Sequence, residues 1–101
     1  MISTTQRQAI IAGTAEGITL KELGLRGRGE VYVLDGTCVR FITRSSRFLR
    51  KDAEGFVAVL AAASSHTAQE LIGHVLIEKA PVCSKARRWL EERDVEVETL
   101  Y

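Results

Sequence analysis

The 101-residue chain contains no asparagine, one proline, one methionine and two cysteines. Cys38 and Cys83 are too few for a disulfide framework or a four-thiolate zinc site, and no C-x-x-C pair occurs. One proline and eight glycines exclude collagen-like and low-complexity sequence, and the 46% hydrophobic content excludes intrinsic disorder. No apolar run approaches the roughly 18 residues of a membrane span, so no membrane partner is expected. The opening Met-Ile-Ser-Thr-Thr-Gln-Arg lacks the basic-then-apolar order of a signal peptide, which points to the cytoplasm. Ten arginines against four lysines, with asparagine missing, fit a thermophile or a GC-rich genome. This length supports one core, so residues 1–101 are expected to form a single domain.

The formal net charge of +1 conceals an uneven distribution. Residues 1–51 carry nine Lys/Arg against four Asp/Glu, whereas residues 52–101 carry five against nine. The halves are therefore +5 and −4. From Gly36 to Lys51 the chain holds Arg40, Arg44, Arg47, Arg50 and Lys51 without an acid, and from Glu91 to Glu98 five acids accompany Arg93 alone.

Local patterning predicts an α/β domain of element order αβββαβαβ. Residues 4–16 read as a helix ended by Gly17. Thr19 and Glu22 have capping-box spacing, predicting a helical turn that carries Ile18, Leu20 and Leu23 inward and stops at Gly24. Residues 30–34, Asp35-Gly36 and residues 37–43 predict a β-hairpin, because Asp-Gly supplies the positive φ angles of a type I′ turn between β-branched and aromatic flanks. Residues 55–61 form a continuous apolar run of strand length, predicting a strand covered on both faces. Thr67 and Glu70 repeat the capping-box spacing, predicting a short helix that ends at Gly73 before a buried strand at 74–78. Pro81 is expected at the first position of a helix, with Val82, Ala86, Trp89 and Leu90 on one apolar stripe. Residues 95–100 alternate as a closing strand. The last three strands, joined by helices, are expected to run parallel in a mixed sheet that also carries the antiparallel hairpin.

The basic stretch makes the strongest functional claim. Guanidinium groups bind phosphate bidentately, and the interleaved Phe41 and Phe48 offer rings for unpaired bases, so RNA or DNA is a candidate partner. An acidic protein surface and a solvated, Lys/Arg-protected hairpin edge are the alternatives. Arg26-Gly27-Arg28-Gly29 extends the same surface in sequence. It neither follows a strand nor opens a helix, and it lacks G-K-[ST], so it reads as a flexible connection and not as a phosphate-cradling loop. Cys83, expected at the third helical position with Lys79 and Lys85 nearby, reads either as a thiol activated by the helix dipole or as a small hydrophobe. Cys38 alternates into the core, and Trp89 is expected there too. His66 and His74 have no Cys or acid at zinc-ligand spacing, so neither a metal nor a cofactor is predicted. Ser64, Ser65 and His66 are adjacent, which suits a helix cap and not a nucleophile-base pair. The acids at 91–98 read as a solvated face or a contact for a basic partner.

The element order resembles the core of restriction-endonuclease-like folds, which begins with a helix and three strands and returns through a helix to a further strand. In active members an acid on the second strand and a Glu-x-Lys on the third bind the metal. The third strand read here, Phe56-Val57-Ala58-Val59-Leu60, holds no charged residue. The resemblance therefore implies a non-catalytic relative, such as the structural subunits of archaeal tRNA-splicing endonucleases or the fifth subunit of RNA polymerase. Residues 75–100, with Ala80-Pro81-Val82-Cys83, are similar to the first βαβ of glutaredoxins. Cys83 matches their resolving cysteine and Ala80 stands at the nucleophile's position. Three readings follow: a non-catalytic nucleic-acid-binding or structural subunit of an RNA- or DNA-processing assembly, a thiol redox protein using Cys83, and a homo-oligomer pairing basic and acidic halves.

Overall fold

A reciprocal cap starts the first helix. In the computed structural model, which describes residues 2–27 and 29–100, the Ser3 hydroxyl accepts the Gln6 N–H at 3.1 Å and the Gln6 side chain accepts the Ser3 N–H at 2.8 Å. The helix α1 (Thr4–Ala12) ends where Gly13 turns left-handed at φ 77°, earlier than the expected stop at Gly17. A two-residue strand, β1 (Ile18–Thr19), follows. The Thr19 hydroxyl accepts the Glu22 N–H at 3.1 Å as the spacing predicts, but it holds a turn over buried Leu20 and not a helix.

The hairpin forms as read. Strands β2 (Glu30–Leu34) and β3 (Thr37–Thr43) are joined by Asp35 at φ 50° and Gly36 at φ 77°. The next element corrects the sequence reading: the apolar run at 55–61 lies inside a helix, α2 (Arg50–Thr67). Along that run Gly55, Ala58 and Ala61 are exposed while Phe56 and Val59 are buried, a helical and not a strand period. Five alanines between residues 53 and 63 add strong helix propensity. The spacing at Thr67–Glu70 therefore starts no helix. It marks the end of α2, where Ala68 takes φ 54°.

Strand β4 (Ile72–Glu78), helix α3 (Ser84–Glu91) and strand β5 (Glu96–Leu100) complete the domain. Pro81 does not start α3. It lies in an extended segment whose carbonyl accepts the Phe48 N–H at 2.8 Å, while Cys83 donates its N–H to Phe48 at 2.9 Å. That bridge delays the helix and makes Cys83 its N-cap.

The sheet runs β1-β2-β3-β4-β5, antiparallel through β1, β2 and β3 and parallel through β3, β4 and β5. The chain is thus one α/β domain of order αβββαβαβ, with a hairpin and three parallel strands. Two crossovers stepping in one direction place both helices on one face. There Phe56, Val75, Ile77, Ala86 and Leu90 bury together, and a neighbouring cluster joins Val31, Cys38, Val59 and Ala63. On the other face α1 contributes Ile10 to a cluster with Val39 and Leu76. At Gly73 a Cβ would stand 2.9 Å from the Phe56 ring and 3.1 Å from Val95, so α2 rests directly on β4. Among the described residues no helix is long and apolar enough to cross a membrane.

Candidate functional site

The cleft on the α2 side exists because the hairpin arms part. Strand β2 registers with β3 from Thr37 to Val39, whereas β3 continues to Thr43, paired on its other edge with β4. The connection before Glu30 and the first turns of α2 wall the gap. The result is a cleft of about 650 Å³ lined by Arg26, Arg40, Arg44 and Lys51, with Leu20, Ile42, Phe56 and Val59 among its apolar walls and Glu30 and Asp52 as its acids.

Each cation reaches the cleft by a different route. Arg40 alternates with Val39 on β3 and so points to the α2 side; its Nη1 donates to the Glu30 carbonyl at 2.8 Å. The guanidinium lies against Gly29, where a Cβ would stand 2.6 Å from Nη1; a side chain at position 29 would displace it. Burial pulls the Arg40 guanidinium below its ordinary pKa, with Tyr32 and Cys38 opposing, yet an arginine keeps its charge at neutral pH. Arg44 follows β3, and its Nη2 donates to Asp52 Oδ2 at 2.6 Å and to the Arg47 carbonyl at 3.3 Å. Its guanidinium also lies 5.8 Å from the Phe48 ring centroid. Lys51 and Arg26 are exposed at the cleft and, among the described residues, form no ion pair.

Asp52 was not singled out by the sequence. It occupies the third position of α2 and accepts the Leu49 N–H at 2.8 Å, replacing the cap that the Leu49 side chain cannot supply. Burial pushes its carboxyl up, but the Arg44 hydrogen bond, the Leu49 N–H and the charges of Arg44 and Lys51 outweigh that. Its pKa lies below the ordinary carboxylate value.

The remaining sequence candidates divide. Neither phenylalanine offers its ring to a ligand beside the arginines: Phe48 is 0% exposed, and Phe41, alternating with Arg40 on β3, packs with Tyr32 against Ile10, Val39 and Leu76 on the α1 face. Arg50 turns toward α3, with its Nε 3.8 Å from Glu54 and its guanidinium 5.8 Å from the Trp89 ring. Trp89 packs against the core cluster as expected, and Arg93 stacks on the same ring at 3.7 Å, so its outer face serves as a cation-π platform. Arg47 is exposed and lends positive charge to Cys83. Arg28 lies outside the described residues.

Cys83 is the N-cap residue of α3, and its side chain makes no capping hydrogen bond. Backbone N–H groups of Ala86 and Lys85 lower its thiol pKa against a desolvation cost, and the charges of Arg47 and Lys85 add to the effect. Cys38 behaves oppositely: burial pushes its thiol up to about 11, with Arg40 opposing. Ala80, at the position of a glutaredoxin nucleophile, is buried.

On the α1 face, fully buried His74 has a carboxylate at each ring nitrogen, Glu96 at 3.2 Å from Nδ1 and Glu98 at 3.1 Å from Nε2. Glu98 is also held by Arg7 at 2.8 Å. The ligand atoms of His74, Glu96 and Glu98 lie within 4.8 Å of one another. The two carboxylates nevertheless meet opposite edges of one imidazole, and Arg7 occupies Glu98. The group therefore ties α1, β4 and β5 together and does not converge on a single cation. Its distance from the cleft across the sheet separates it from the basic residues.

Compared with protein-family models, curated proteins and solved structures, the chain finds no match in any of the three.

Proposed function

We propose that this chain is a non-catalytic nucleic-acid-binding or structural subunit of an RNA- or DNA-processing assembly, acting in the cytoplasm. The observation that carries the reading is the convergence of Arg26, Arg40, Arg44 and Lys51, from separate segments, on one concave site. Guanidinium and ammonium groups gathered in a cleft attract phosphate and release its counterions on binding. An endonuclease-like core is compatible with the strand order. Glu30 stands on the second strand, but the true third strand, Thr37–Thr43, carries Arg40 as its one charged residue and no Glu-x-Lys. That absence supports a binding role over metal-dependent cleavage.

The test is retention on immobilised RNA and DNA across a salt series, comparing the natural chain with a double variant, Arg26→Glu and Lys51→Glu. Both side chains are exposed, so the swap leaves the core alone. Retention that falls steeply with salt and is lost in the variant is the expected result. Absence of retention at low salt, or retention indifferent to the swap, overturns the reading.

A second reading, a thiol redox protein, is favoured by one observation: Cys83 stands at the N-terminal end of α3, where the backbone N–H groups of Ala86 and Lys85 hold its thiol below the ordinary pKa. The buried Ala80 denies it a neighbouring thiol within the motif.

A further inference from the structure

Resting on the nucleic-acid reading above, we infer that the cleft selects RNA over DNA, with the free oxygen of Asp52 accepting a ribose 2′-hydroxyl and Lys51 and Arg26 meeting the flanking phosphates. One charge is out of place for a site that holds only phosphate: Asp52 stands beside Lys51 among the cations of the cleft. Its position there is set by the helix. Asp52, Gly55, Phe56 and Val59 recur at i, i+3, i+4 and i+7 of α2, and all four line the cleft.

Only half of that carboxylate is consumed by the fold. Oδ2 accepts from Arg44 Nη2 at 2.6 Å and from the Leu49 N–H at 2.8 Å, whereas Oδ1 accepts no hydrogen bond among the described residues. The same two donors, with the charges of Arg44 and Lys51, hold the carboxyl below its ordinary pKa, so the free oxygen is ionised at neutral pH. The side chain is 30% exposed, and a ligand in the cleft can reach it. An ionised oxygen is a strong acceptor for a hydroxyl. To a deoxyribose strand it offers only repulsion of the phosphates.

A 2′-hydroxyl also accepts, and the sheet edge supplies the donors. The Gly36 carbonyl accepts the Ile72 N–H at 3.0 Å and the Arg44 N–H donates to the Glu78 carbonyl at 3.4 Å, so even-numbered residues along β3 turn their main-chain groups to β4. Phe41 and Thr43 turn theirs to the opposite edge, where the register with β2 stops at Val39. The Phe41 ring lies on the α1 face, and only its main chain meets the cleft. Thr43 directly precedes the Arg44 that holds Asp52. An ionised acceptor, main-chain donors and phosphate-binding cations therefore share one cleft, and a 2′-hydroxyl, being donor and acceptor at once, is the group by which a protein tells RNA from DNA.

The experiment is fluorescence anisotropy with the full chain and three labelled single strands of equal length: oligo-U, oligo-dU and 2′-fluoro oligo-U, which keeps the ribose pucker but cannot donate. Oligo-U is expected to bind about tenfold more tightly than either of the others, the scale of a hydrogen bond to a charged group. Asp52→Asn, whose neutral amide accepts more weakly, is expected to narrow that preference to about threefold or less, chiefly by raising the affinity for oligo-dU. A purely structural role would lower both affinities together. Circular dichroism and the melting curve verify the fold of the variant, and the 2′-fluoro comparison needs no variant at all. Equal binding of oligo-U and oligo-dU, 2′-fluoro oligo-U bound as tightly as oligo-U, or an unchanged preference in folded Asp52→Asn overturns the inference and leaves the parent reading standing. No binding to any of the three strands at low salt removes the parent reading as well.

Discussion

Replacing Asp52 by Asn should weaken the fold and strengthen the cleft at once. Asp52 accepts from Arg44 at 2.6 Å and from the Leu49 N–H at 2.8 Å, and it supplies the negative charge in the first turn of α2. The Arg44–Asp52 side chains are 33% and 30% exposed, so their ion pair is screened and contributes about 0.5–1 kcal/mol. The first-turn charge against the helix dipole contributes about 0.3–1 kcal/mol. Asn retains one acceptor, so the loss at neutral pH should be about 1–2 kcal/mol, seen as a fall of several degrees in Tm for a domain this size. The folded Asp52 pKa lies below its unfolded value, so its stabilising contribution is complete above the ordinary carboxylate range near 4 and is lost as pH falls through the folded value. Chemical denaturation at pH 7 and pH 2.5 should therefore show the two proteins differing at the first and converging at the second. Polyanion affinity should move the other way, because a carboxylate leaves the cleft and Arg44 is released toward solvent, steepening the salt dependence by about one phosphate contact. A variant equally destabilised at both pH values, or one that binds polyanions more weakly while folded, refutes this account of Asp52.

The contact of α2 with β4 at Gly73 leaves no space for a methyl group beside Phe56, Leu60 and Val95. Gly73→Ala should cost about 1–3 kcal/mol by overpacking, read in urea unfolding, and a neutral result would mean that α2 shifts outward without cost. The two thiols should separate cleanly in alkylation timed by mass spectrometry at pH 7. Cys83, with its lowered pKa, should label faster than free cysteine, while buried Cys38, raised to about 11, should label only on unfolding. Equal slow labelling of both would dismiss the activated-thiol reading.

How much was legible depends on whether the signal was local. The hairpin was readable because Asp35-Gly36 dictates its turn from two residues and the flanks agree. Residues 55–61 were misread because seven consecutive apolar or small residues fit a doubly covered strand as well as a helix. The deciding signal was the small residues Gly55, Ala58 and Ala61 every third position within an alanine-rich stretch. Once α2 is known to begin at Arg50, Asp52 falls at its third position and its pairing with Arg44 follows. The cations of the cleft were visible as types. Their sorting was not, because Phe48, Arg47 and Arg50 are turned toward α3 by the bridge between Phe48 and Val82, a contact 34 residues apart in sequence. The His74 group depends on the β4–β5 register and on Arg7 reaching Glu98, and no short-range pattern announces either.

The charge asymmetry of the sequence acquires a direction in the fold, with part of each half consumed internally and part left at the surface. Part of the acidic half is consumed internally: Glu98 is engaged by Arg7 and His74, and Glu96 lies against His74. For β5 to present Glu98 to a neighbour's cleft, it would have to release a fully buried imidazole and the ion pair that fastens α1 to the sheet, leaving polar groups unpaired in the interior. The basic half is likewise constrained only in part. Arg26 and Lys51 project from the rim of a preformed cavity without an ion-pair partner among the described residues, while Arg40 and Arg44 are fixed behind them by a carbonyl and a carboxylate. Exposed Glu91, Glu92 and Asp94 are available to a second copy without loss of native contacts, so gel filtration at low and high salt separates self-association from capture of a phosphate backbone: a dimer that dissociates in salt supports the first, and a monomer at low salt refutes it.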